Sequence, residues 1–213
     1  MRPLSLLIIA IAGLVALPAL AQNPPATPPA AQPTPPANPP VRMRGTVDKL
    51  DGDMLTVKKK DGQSASIVVA DKSVQYLVKK SLSDIKAGDF LASTGIKGTD
   101  GKIHAIEVRI FPKATPDGGR QFAWDLSPDS VMTNATVGTV TQTPNGPLVH
   151  VTFTGGESEY TIGPEVPILA GTDGDKSLLV PGAAVFVIAS KKDDGTLTSI
   201  RIYVEKDGIK PPM

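Results

Sequence analysis

The amino-acid sequence predicts an all-β protein: two tandem small OB-like β-barrel units from an internal duplication, after a signal peptide and a disordered proline-rich linker. Three observations support this fold class: short segments of alternating apolar and polar residues, Asp-Gly pairs between those segments, and an internal repeat. Alternation at period two is typical of half-buried strands, and Asp-Gly accepts the positive φ of tight hairpin turns. The predicted segments are 1–21 signal peptide, 22–41 linker, 42–112 first barrel repeat, 113–135 inter-repeat segment, 136–206 second barrel repeat and 207–213 C-terminal tail.

The first 21 residues are typical of a secretory signal peptide. A basic start at Arg2 precedes the apolar run 4–17, and the small-residue pattern at 19–21 predicts cleavage before Gln22. The run is shorter than the roughly 20 residues that span a bilayer, so we expect a periplasmic protein without a membrane span in its mature chain. The alternative is anchoring to the inner membrane by an uncleaved signal.

The segment 22–41 contains nine prolines, no charged residue and no large apolar side chain apart from Val41 at its end. Such a composition cannot bury a core and favours extended polyproline II. Three interpretations stay open for it. It is a spacer that holds the folded part away from a surface, a ligand for a groove that recognises proline-rich peptides, or a solvated leader.

Charge and cysteine content exclude several classes of protein. The chain has no Cys, so neither a lipid-modified cysteine nor a disulfide is available after export. Cleavage would remove Arg2 and no acidic residue, which leaves the mature chain without formal net charge. Proteins that grip nucleic acid or anionic membranes through bulk charge are normally strongly basic, so we expect no nucleic-acid partner.

An internal repeat organises the remainder of the chain. Three matched pairs occur in the same order: Gly-Thr-Val at 45–47 and 138–140, Gly88 and Gly182, and Asp-Gly at 100–101 and 194–195. Their offsets of 93, 94 and 94 residues predict a duplication of residues 43–111 in residues 136–204.

Each copy is predicted to consist of short strands with one helical turn. In the first copy this turn covers 81–88, and the second copy keeps only a reduced version of it at 176–182. A unit of about 70 residues is small for a two-sheet sandwich, so a closed or partly open barrel is favoured over an open meander. Alternation in the last strand of each copy predicts six core residues: Ile106, Val108, Ile110, Ile200, Ile202 and Val204.

The succession RGTV, LDGDMLTVKKKDG, SLSDIKAGDFL and DGKIHAIEVRI resembles an exported bacterial family known only as a domain of unknown function. The stretch WDLSPDSVMTNATV is similar to the alphaproteobacterial subset of that family. The resemblance covers most of residues 43–204 and implies a periplasmic small-barrel protein. It also links this subset with metal-ion ABC transport. A permease role would require several membrane-spanning helices, and the sequence predicts none.

Candidate catalytic residues are few. Nucleophilic catalysis by Ser or Thr needs a base within hydrogen-bond reach, and the two histidines, His104 and His150, are not equivalent in the repeat. No Ser and acid pair is predicted to join either of them, and no phosphate-binding loop is present. We therefore expect no catalytic residue and no enzyme activity.

Metal binding has little support from the sequence. Two unclustered His without Cys do not make a zinc or copper site. The segments Asp51-Gly52-Asp53 and Asp173-Gly174-Asp175 carry oxygen ligands but lack the bidentate Glu that ends a calcium loop, so both are predicted to be hairpin turns. We expect no metal site and no cofactor, and a weak surface ion stays open.

The inter-repeat segment supplies the predicted recognition site. It contains the only Trp of a chain that is 4% aromatic, and it groups Arg120, Phe122, Trp124 and Asp125 without strand periodicity. Trp and Arg dominate the energetics of interfaces, so these four residues are predicted to bind a partner. The alternative is structural, with Trp124 filling the seam between the barrels as a clasp.

Taken together, these features predict an exported, non-catalytic binding or adaptor module whose partner is a periplasmic or envelope protein. The alternative is a soluble accessory or binding component of metal-ion or small-molecule uptake. The ligand itself is not predicted by the sequence.

Overall fold

The computed structural model describes residues 39–144 and 146–211, which form thirteen β-strands and two short 3₁₀ turns. The predicted signal peptide, nearly all of the predicted linker and the last two residues of the predicted tail lie outside the described residues. The predicted all-β class is confirmed. The strands are β1 Val41–Asp51, β2 Met54–Lys59, β3 Ser64–Val68, β4 Val74–Lys80, β5 Phe90–Lys97, β6 Ile103–Phe111, β7 Arg120–Ala123, β8 Ser130–Thr143, β9 Gly146–Phe153, β10 Gly156–Thr161, β11 Ile168–Asp173, β12 Ala184–Lys191 and β13 Leu197–Val204, and the 3₁₀ turns are Leu82–Asp84 and Lys176–Leu178.

Ten of these strands close into two five-stranded barrels. The terminal barrel uses both ends of the folded region, and its strands pair in the ring β1, β2, β3, β13, β12 and back to β1. The central barrel uses the middle of the chain, in the ring β8, β9, β10, β6, β5 and back to β8. In each ring one short pairing, β3 with β13 or β10 with β6, is parallel, and the others are antiparallel. The prediction of small barrel units is confirmed.

Each barrel contains strands from both copies of the repeat. The terminal barrel joins β1–β3 of the first copy to β12 and β13 of the second, and the central barrel joins β8–β10 of the second copy to β5 and β6 of the first. Neither predicted barrel range, 42–112 or 136–206, therefore forms a barrel by itself, because each copy divides between the two barrels. The strands β4 and β11 cause this exchange of strands between the copies, because β4 leads from the terminal barrel to the central barrel and β11 leads back.

The strands β4 and β11 are equivalent in the repeat and pair with each other in antiparallel register. Leu77 of β4 lies opposite Gly171 of β11, and these two residues are related by the same offset of 94 that relates the copies. A local two-fold axis therefore passes between them. Leu77 is buried at this point, and a Cβ on Gly171 would lie 3.2 Å from the side chain of Gln75 and 3.5 Å from that of Tyr203.

Backbone hydrogen bonds test the three matched pairs of the repeat. Gly88 donates to the carbonyl of Val137, and Gly182 donates to the carbonyl of Val47, each at 2.8 Å. The two glycines are thus equivalent, as predicted, and so are the Asp-Gly turns after β5 and β12. The Gly-Thr-Val match is wrong in three dimensions, because Val47 corresponds to Val137 and not to Val140. The β8–β9 hairpin is four residues longer than β1–β2, so the offset between the copies rises from 90 at Val47 and Val137 to 94 at the two glycines.

A β-bulge in the last strand of each copy changes the predicted core. Val108, Ile202 and Val204 are fully buried as predicted, but Ile200 is 52% exposed. In β13 the register passes from Arg201 to Ser199 opposite consecutive residues of β12, so Ile200 is the extra residue of the bulge and faces outward. Ser199 takes the inward position and accepts a hydrogen bond from the backbone of Ala70. The bulge in β6 likewise leaves Ile106 only partly buried, and Ile110 is also partly buried.

The buried residues form three clusters. One fills the terminal barrel and includes Val57, Ile67 and Val185, and another fills the central barrel and includes Leu91, Val108 and Tyr160. The third cluster, which we call the inter-barrel cluster, consists of Leu77, Leu169, Phe186 and Tyr203. Its residues come from β4, β11, β12 and β13, so it packs β4 and β11, which we call the crossing strands, against the outer face of the terminal barrel.

The connections between strands differ from prediction in the second copy. The 3₁₀ turn Lys176–Leu178 is as long as its counterpart Leu82–Asp84, so the turn is not reduced as predicted. The Asp51-Gly52-Asp53 segment is a hairpin turn, whereas Asp175 is not in a hairpin and instead caps the second 3₁₀ turn by accepting from the backbone N–H of Ser177 at 2.8 Å.

Candidate functional site

The candidate site is a cleft on the outer faces of two equivalent hairpins, β5–β6 of the central barrel and β12–β13 of the terminal barrel. Inward residues of these strands, such as Leu91 and Val185, belong to the barrel cores, and the alternate residues face the cleft. Strand β7, the part of β8 that pairs with it, the β6–β7 connection and the start of β1 form the remaining walls, and the cavity has a volume of about 200 Å³. Its aromatic lining consists of Phe90, Phe111, Phe122, Trp124, Phe186 and Tyr203.

Equivalent positions of the two hairpins carry different residues in the cleft. The duplication alone would give a cleft with two identical halves, and the side chains have instead diverged in size and charge. The cleft therefore presents an asymmetric surface, as is expected of a site that orients a ligand in one direction. The equivalent pairs are Ala92 with Phe186, Thr94 with Ile188, Glu107 with Arg201, and Arg109 with Tyr203.

Arginine is concentrated at this cleft. Arg42, Arg109, Arg120 and Arg201 line it, and Arg44 lies beside it, so all five arginines of the described residues gather at one place. None of the lysines in the described part of the chain lines this cleft. Arg and Lys carry the same charge but differ in their ability to stack on rings and to bind oxyanions with two parallel hydrogen bonds. The distribution of Arg and Lys therefore indicates that this cleft requires the ring stacking or the paired hydrogen bonds of a guanidinium group and not positive charge alone.

The five arginines alternate with five aromatic rings in one continuous series, which we call the arginine–aromatic ladder. Each neighbouring pair places a guanidinium carbon 4.7–6.0 Å from a ring centre, within the range of cation–π attraction. Stacking of this kind holds each guanidinium plane in place while leaving its edge N–H groups available. In order, the ladder is Arg120, Phe122, Arg42, Trp124, Arg44, Phe186, Arg109, Tyr203, Arg201 and Phe111.

The arginines of the ladder differ in how their N–H groups are used. Arg44 donates to both carboxylate oxygens of Asp125, at 2.8 and 2.9 Å, and the buried Arg109 donates to the buried Glu107 at 2.5 Å. Arg201 donates one hydrogen bond to the Tyr203 hydroxyl at 3.2 Å. Arg42 and Arg120 make no hydrogen bond or ion pair with any residue that the structure describes, and their direct contacts are with aromatic rings.

The structure brings three of the four predicted recognition residues into the cleft. Arg120 and Phe122 lie on β7, which pairs with β8, and Trp124 follows directly. Asp125 does not line the cleft and is instead paired with Arg44. Trp124 also packs against the inter-barrel cluster through an edge-to-face contact with Phe186, at 6.3 Å between ring centres. Its place in the cleft fits the recognition interpretation of Trp124, and its packing on Phe186 fits the clasp interpretation.

Sequence reasoning missed Arg42, Arg109, Arg201, Phe186 and Tyr203. These residues lie far apart along the chain and meet only because the two hairpins and the start of β1 face the same cleft. One signal was available: the chain has few arginines beside many lysines, and the arginines of β6 and β13 occupy strand positions that alternate with core residues.

The pair between Arg44 and Asp125 gives a pH-dependent prediction. The Arg44 guanidinium lowers the pKa of the Asp125 carboxyl below its ordinary value of 3.8. Because the folded-state pKa is lowered, the pair stabilises the fold at pH values above 3.8, and this stabilisation is lost as the pH falls through the lowered pKa. Asp125 is largely exposed, so we expect Asp125→Asn to cost less than about 1 kcal/mol near neutral pH.

Urea unfolding near neutral pH and again at acidic pH measures this difference. The gap between wild type and Asp125→Asn should begin to shrink as the pH falls below 3.8 and close once the pH is below the lowered pKa of Asp125. Asp193→Asn, in an exposed turn, is the matched control and should show no gap at either pH. A gap that stays constant with pH would show that the carboxylate charge is not what stabilises the pair.

The two histidines lie away from the cleft. His104 contacts a carboxylate oxygen of Asp100 at 3.1 Å through Nε2 and the Thr161 hydroxyl at 3.0 Å through Nδ1, a combination of an acid and a threonine hydroxyl that was not predicted from the sequence. Thr161 is opposite His104 in the short pairing that closes the central barrel, which gives the contact a structural role. His150 lies 3.6 Å from Glu157 and 3.8 Å from Glu159 in the β9–β10 hairpin.

Within residues 39–144 and 146–211, no group of three or more His, Cys, Asp or Glu side chains is arranged to hold a metal ion. The two predicted oxygen-rich segments use their carboxylates in ion pairs and caps, and Asp53 pairs with Lys176 at 2.6 Å. None of the helical segments described is long and apolar enough to cross a membrane.

Comparisons with protein-family models, curated proteins and solved structures found no match for this chain.

Proposed function

We propose that this chain is an exported, non-catalytic binding module of the bacterial periplasm, and that it engages its ligand or partner at the arginine–aromatic cleft. The observation that carries the proposal is the gathering of all five described arginines around one cleft that no described lysine lines. Trp, Tyr and Arg are the residues that contribute most to binding where they are clustered. A purely structural seam would not require so many charged groups.

Export is proposed from the leader alone. The basic start, the short apolar run and the small residues at 19–21 are typical of a cleaved signal peptide, and the proline-rich segment 22–41 is suited to separate the folded part from a surface. An uncleaved signal would place the same module at the inner membrane.

The non-catalytic part of the proposal rests on the composition of the cleft. Its lining contains one carboxylate, Glu107, and that group accepts a hydrogen bond from Arg109. General acid–base or nucleophilic chemistry needs a base or nucleophile that is free to exchange a proton with substrate. His104 and the hydroxyl group of Thr161 could in principle supply such groups, but both residues lie outside the cleft. They belong to the β10–β6 pairing that closes the central barrel.

The size of the cleft favours a small occupant. Small-molecule sites usually enclose roughly 300–1,000 Å³, and this cavity has a volume of about 200 Å³. It therefore fits a small molecule or a single protruding side chain of a protein partner. The first case corresponds to a binding component of small-molecule uptake, and the second to an adaptor for an envelope protein.

An extract divided by size tests the proposal. The purified full chain is mixed with the small-molecule fraction or the protein fraction of a periplasmic extract, and melting and complex formation are measured. We expect one fraction to raise the melting temperature or to form a complex. The double variant Arg42→Gln/Arg120→Gln should lose this response. It should keep its fold, because neither side chain forms a hydrogen bond or an ion pair with a described residue.

The matched control is Lys58→Gln/Lys86→Gln, which removes the same charge away from the cleft and should respond like wild type. An equal response from the arginine variant would place binding elsewhere. The absence of any response from wild type to both fractions would overturn the proposed function.

A further inference from the structure

We infer that the cleft binds a small organic oxyanion, a carboxylate or phosphate group attached to an apolar body. This inference rests on the proposed function, because it names the class of ligand that the same cleft takes. It follows from the charge of the lining, the unused hydrogen-bond donors and the arrangement of the rings.

The charge of the lining favours an anion. Four arginines and one carboxylate face the cavity, which gives the lining a formal excess of three positive charges. The carboxylate of Glu107 is directed to Arg109 and lies 2.5 Å from its Nε, so Arg109 is the arginine that it neutralises. Arg42, Arg120 and Arg201 form no ion pair with a carboxylate among the residues described, and the acidic groups that feel Arg42 and Arg120 at longer range, Asp125 and Asp117, lie outside the lining. A cationic ligand or a metal ion would be repelled by this lining.

The unused donors favour an oxyanion in particular. A guanidinium has five N–H donors in a planar fork that matches the two oxygens of a carboxylate or phosphate. Arg42 and Arg120 donate to no described residue, and Arg201 donates only to the Tyr203 hydroxyl. Stacking on Phe122, Trp124 and other rings fixes these forks before a ligand arrives, which lowers the entropic cost of binding.

The rings favour an apolar body on the same ligand. The aromatic residues of the lining include the partly exposed Phe111, Phe122 and Trp124, so the cavity offers apolar surface beside the charges. An inorganic ion would leave this surface against water. A cavity of about 200 Å³ has room for one small ring or a short chain.

Fluorescence of Trp124 provides the test, because it is the only Trp in the chain and it lies in the cleft. The purified full chain is titrated with benzoate and phenyl phosphate, and with inorganic phosphate, benzyl alcohol and benzylamine as comparison probes. We expect a saturable change with benzoate or phenyl phosphate, a weaker one with inorganic phosphate, and none with benzylamine. The two anionic probes distinguish a carboxylate from a phosphate ligand.

Single variants identify the groups that bind the anion. Arg201→Gln and Arg120→Gln should each weaken binding of the better anionic probe at least about tenfold, since each loses a hydrogen bond to a charged group. The control Lys86→Gln should bind like wild type. Calorimetric titration with the same probes confirms that the fluorescence change reports binding.

Three outcomes would overturn the inference. Equal binding of benzyl alcohol and benzoate would show that the rings alone select the ligand, and preferred binding of benzylamine would reverse the charge argument. In both cases the proposed binding function stands. Absence of any response to the anionic probes also overturns the ligand class, and the proposed function then depends on whether an extract fraction still stabilises the chain.

Discussion

A chain cut between Lys113 and Ala114 is expected to stay folded as two associated fragments, and each fragment alone is expected to remain unfolded. The cut lies in an exposed connection between β6 and β7, so it removes no strand pairing. The first fragment carries β1–β3 of the terminal barrel but only β5 and β6 of the central barrel. Each fragment therefore holds two incomplete barrels, and open strand edges with half a core do not form a stable fold.

Separate production of the residues 39–113 and 114–211 allows a direct measurement. Circular dichroism should show little ordered sheet in either fragment alone and recovery of the native spectrum after mixing in equal amounts. Size-exclusion chromatography should then give one peak at the mass of the intact folded region. The uncut chain is the control for both measurements.

A protein in which each copy of the repeat forms its own barrel would give the opposite result. If each copy of the repeat closed its own barrel, the fragments would fold separately, melt cooperatively and fail to associate when mixed. A folded, monomeric first fragment would thus contradict the strand exchange. A folded homodimer of that fragment would contradict the expectation that it stays unfolded alone, but it would still require strands from two chains in each barrel.

The sequence was a sufficient guide to local structure. Alternation and Asp-Gly turns depend on residues that are adjacent along the chain, and the strand class and the β1–β2 turn followed from them. The outward position of Ile200 did not follow, because a bulge shifts the alternation by one residue without changing the apolar pattern. The bulge depends on pairing with β12, which is information that the strand itself does not contain.

The sharing of strands between the two copies of the repeat could not be predicted for a related reason. A repeat shows which segments are equivalent, but β12 fits beside β1 just as its equivalent β5 would, since the copies share their apolar pattern. The pairing of β4 with β11 at Leu77 and Gly171 directs each copy of the repeat from one barrel into the other. This pairing links residues 94 positions apart and has no local signal.

The candidate site was predicted in part for the same reason. Arg120, Phe122 and Trp124 are neighbours along the chain, so their unusual composition was visible in the sequence. Arg109 and Tyr203 face the cleft from equivalent positions of different hairpins and gained different side chains after duplication. Only the relation between the two barrels shows that they belong to one site.

The inter-barrel cluster gives the largest expected effect of a single substitution. Phe186 is 1% exposed, stacks on Tyr203 with ring centres 6.4 Å apart, and lies under the Arg44 guanidinium at 4.7 Å. Replacing a buried Phe by Ala removes its transfer free energy and leaves a cavity, at a typical cost of about 3–5 kcal/mol. We expect Phe186→Ala to lose about this much in free energy of unfolding.

Thermal and urea unfolding of the ligand-free chain measure this loss. For a protein of this size each kcal/mol corresponds to roughly 2–4 °C in melting temperature, so a fall of about 6–20 °C is expected. Phe122→Ala is the matched control, because Phe122 belongs to the same ladder but is only half-buried on the short strand β7. That variant should lose less than about half as much, in proportion to the area it buries.

The comparison separates stability from recognition within one set of rings. If Phe186→Ala and Phe122→Ala destabilise the fold equally, the buried cluster does not hold the crossing strands to the terminal barrel, and the ladder stabilises the chain as a whole. If Phe186→Ala costs less than about 1 kcal/mol, the cavity collapses without loss and the cluster is not a structural element. The expected difference instead assigns Phe186 to the connection between β12 and the crossing strands, and leaves the outer rings of the ladder free for a ligand.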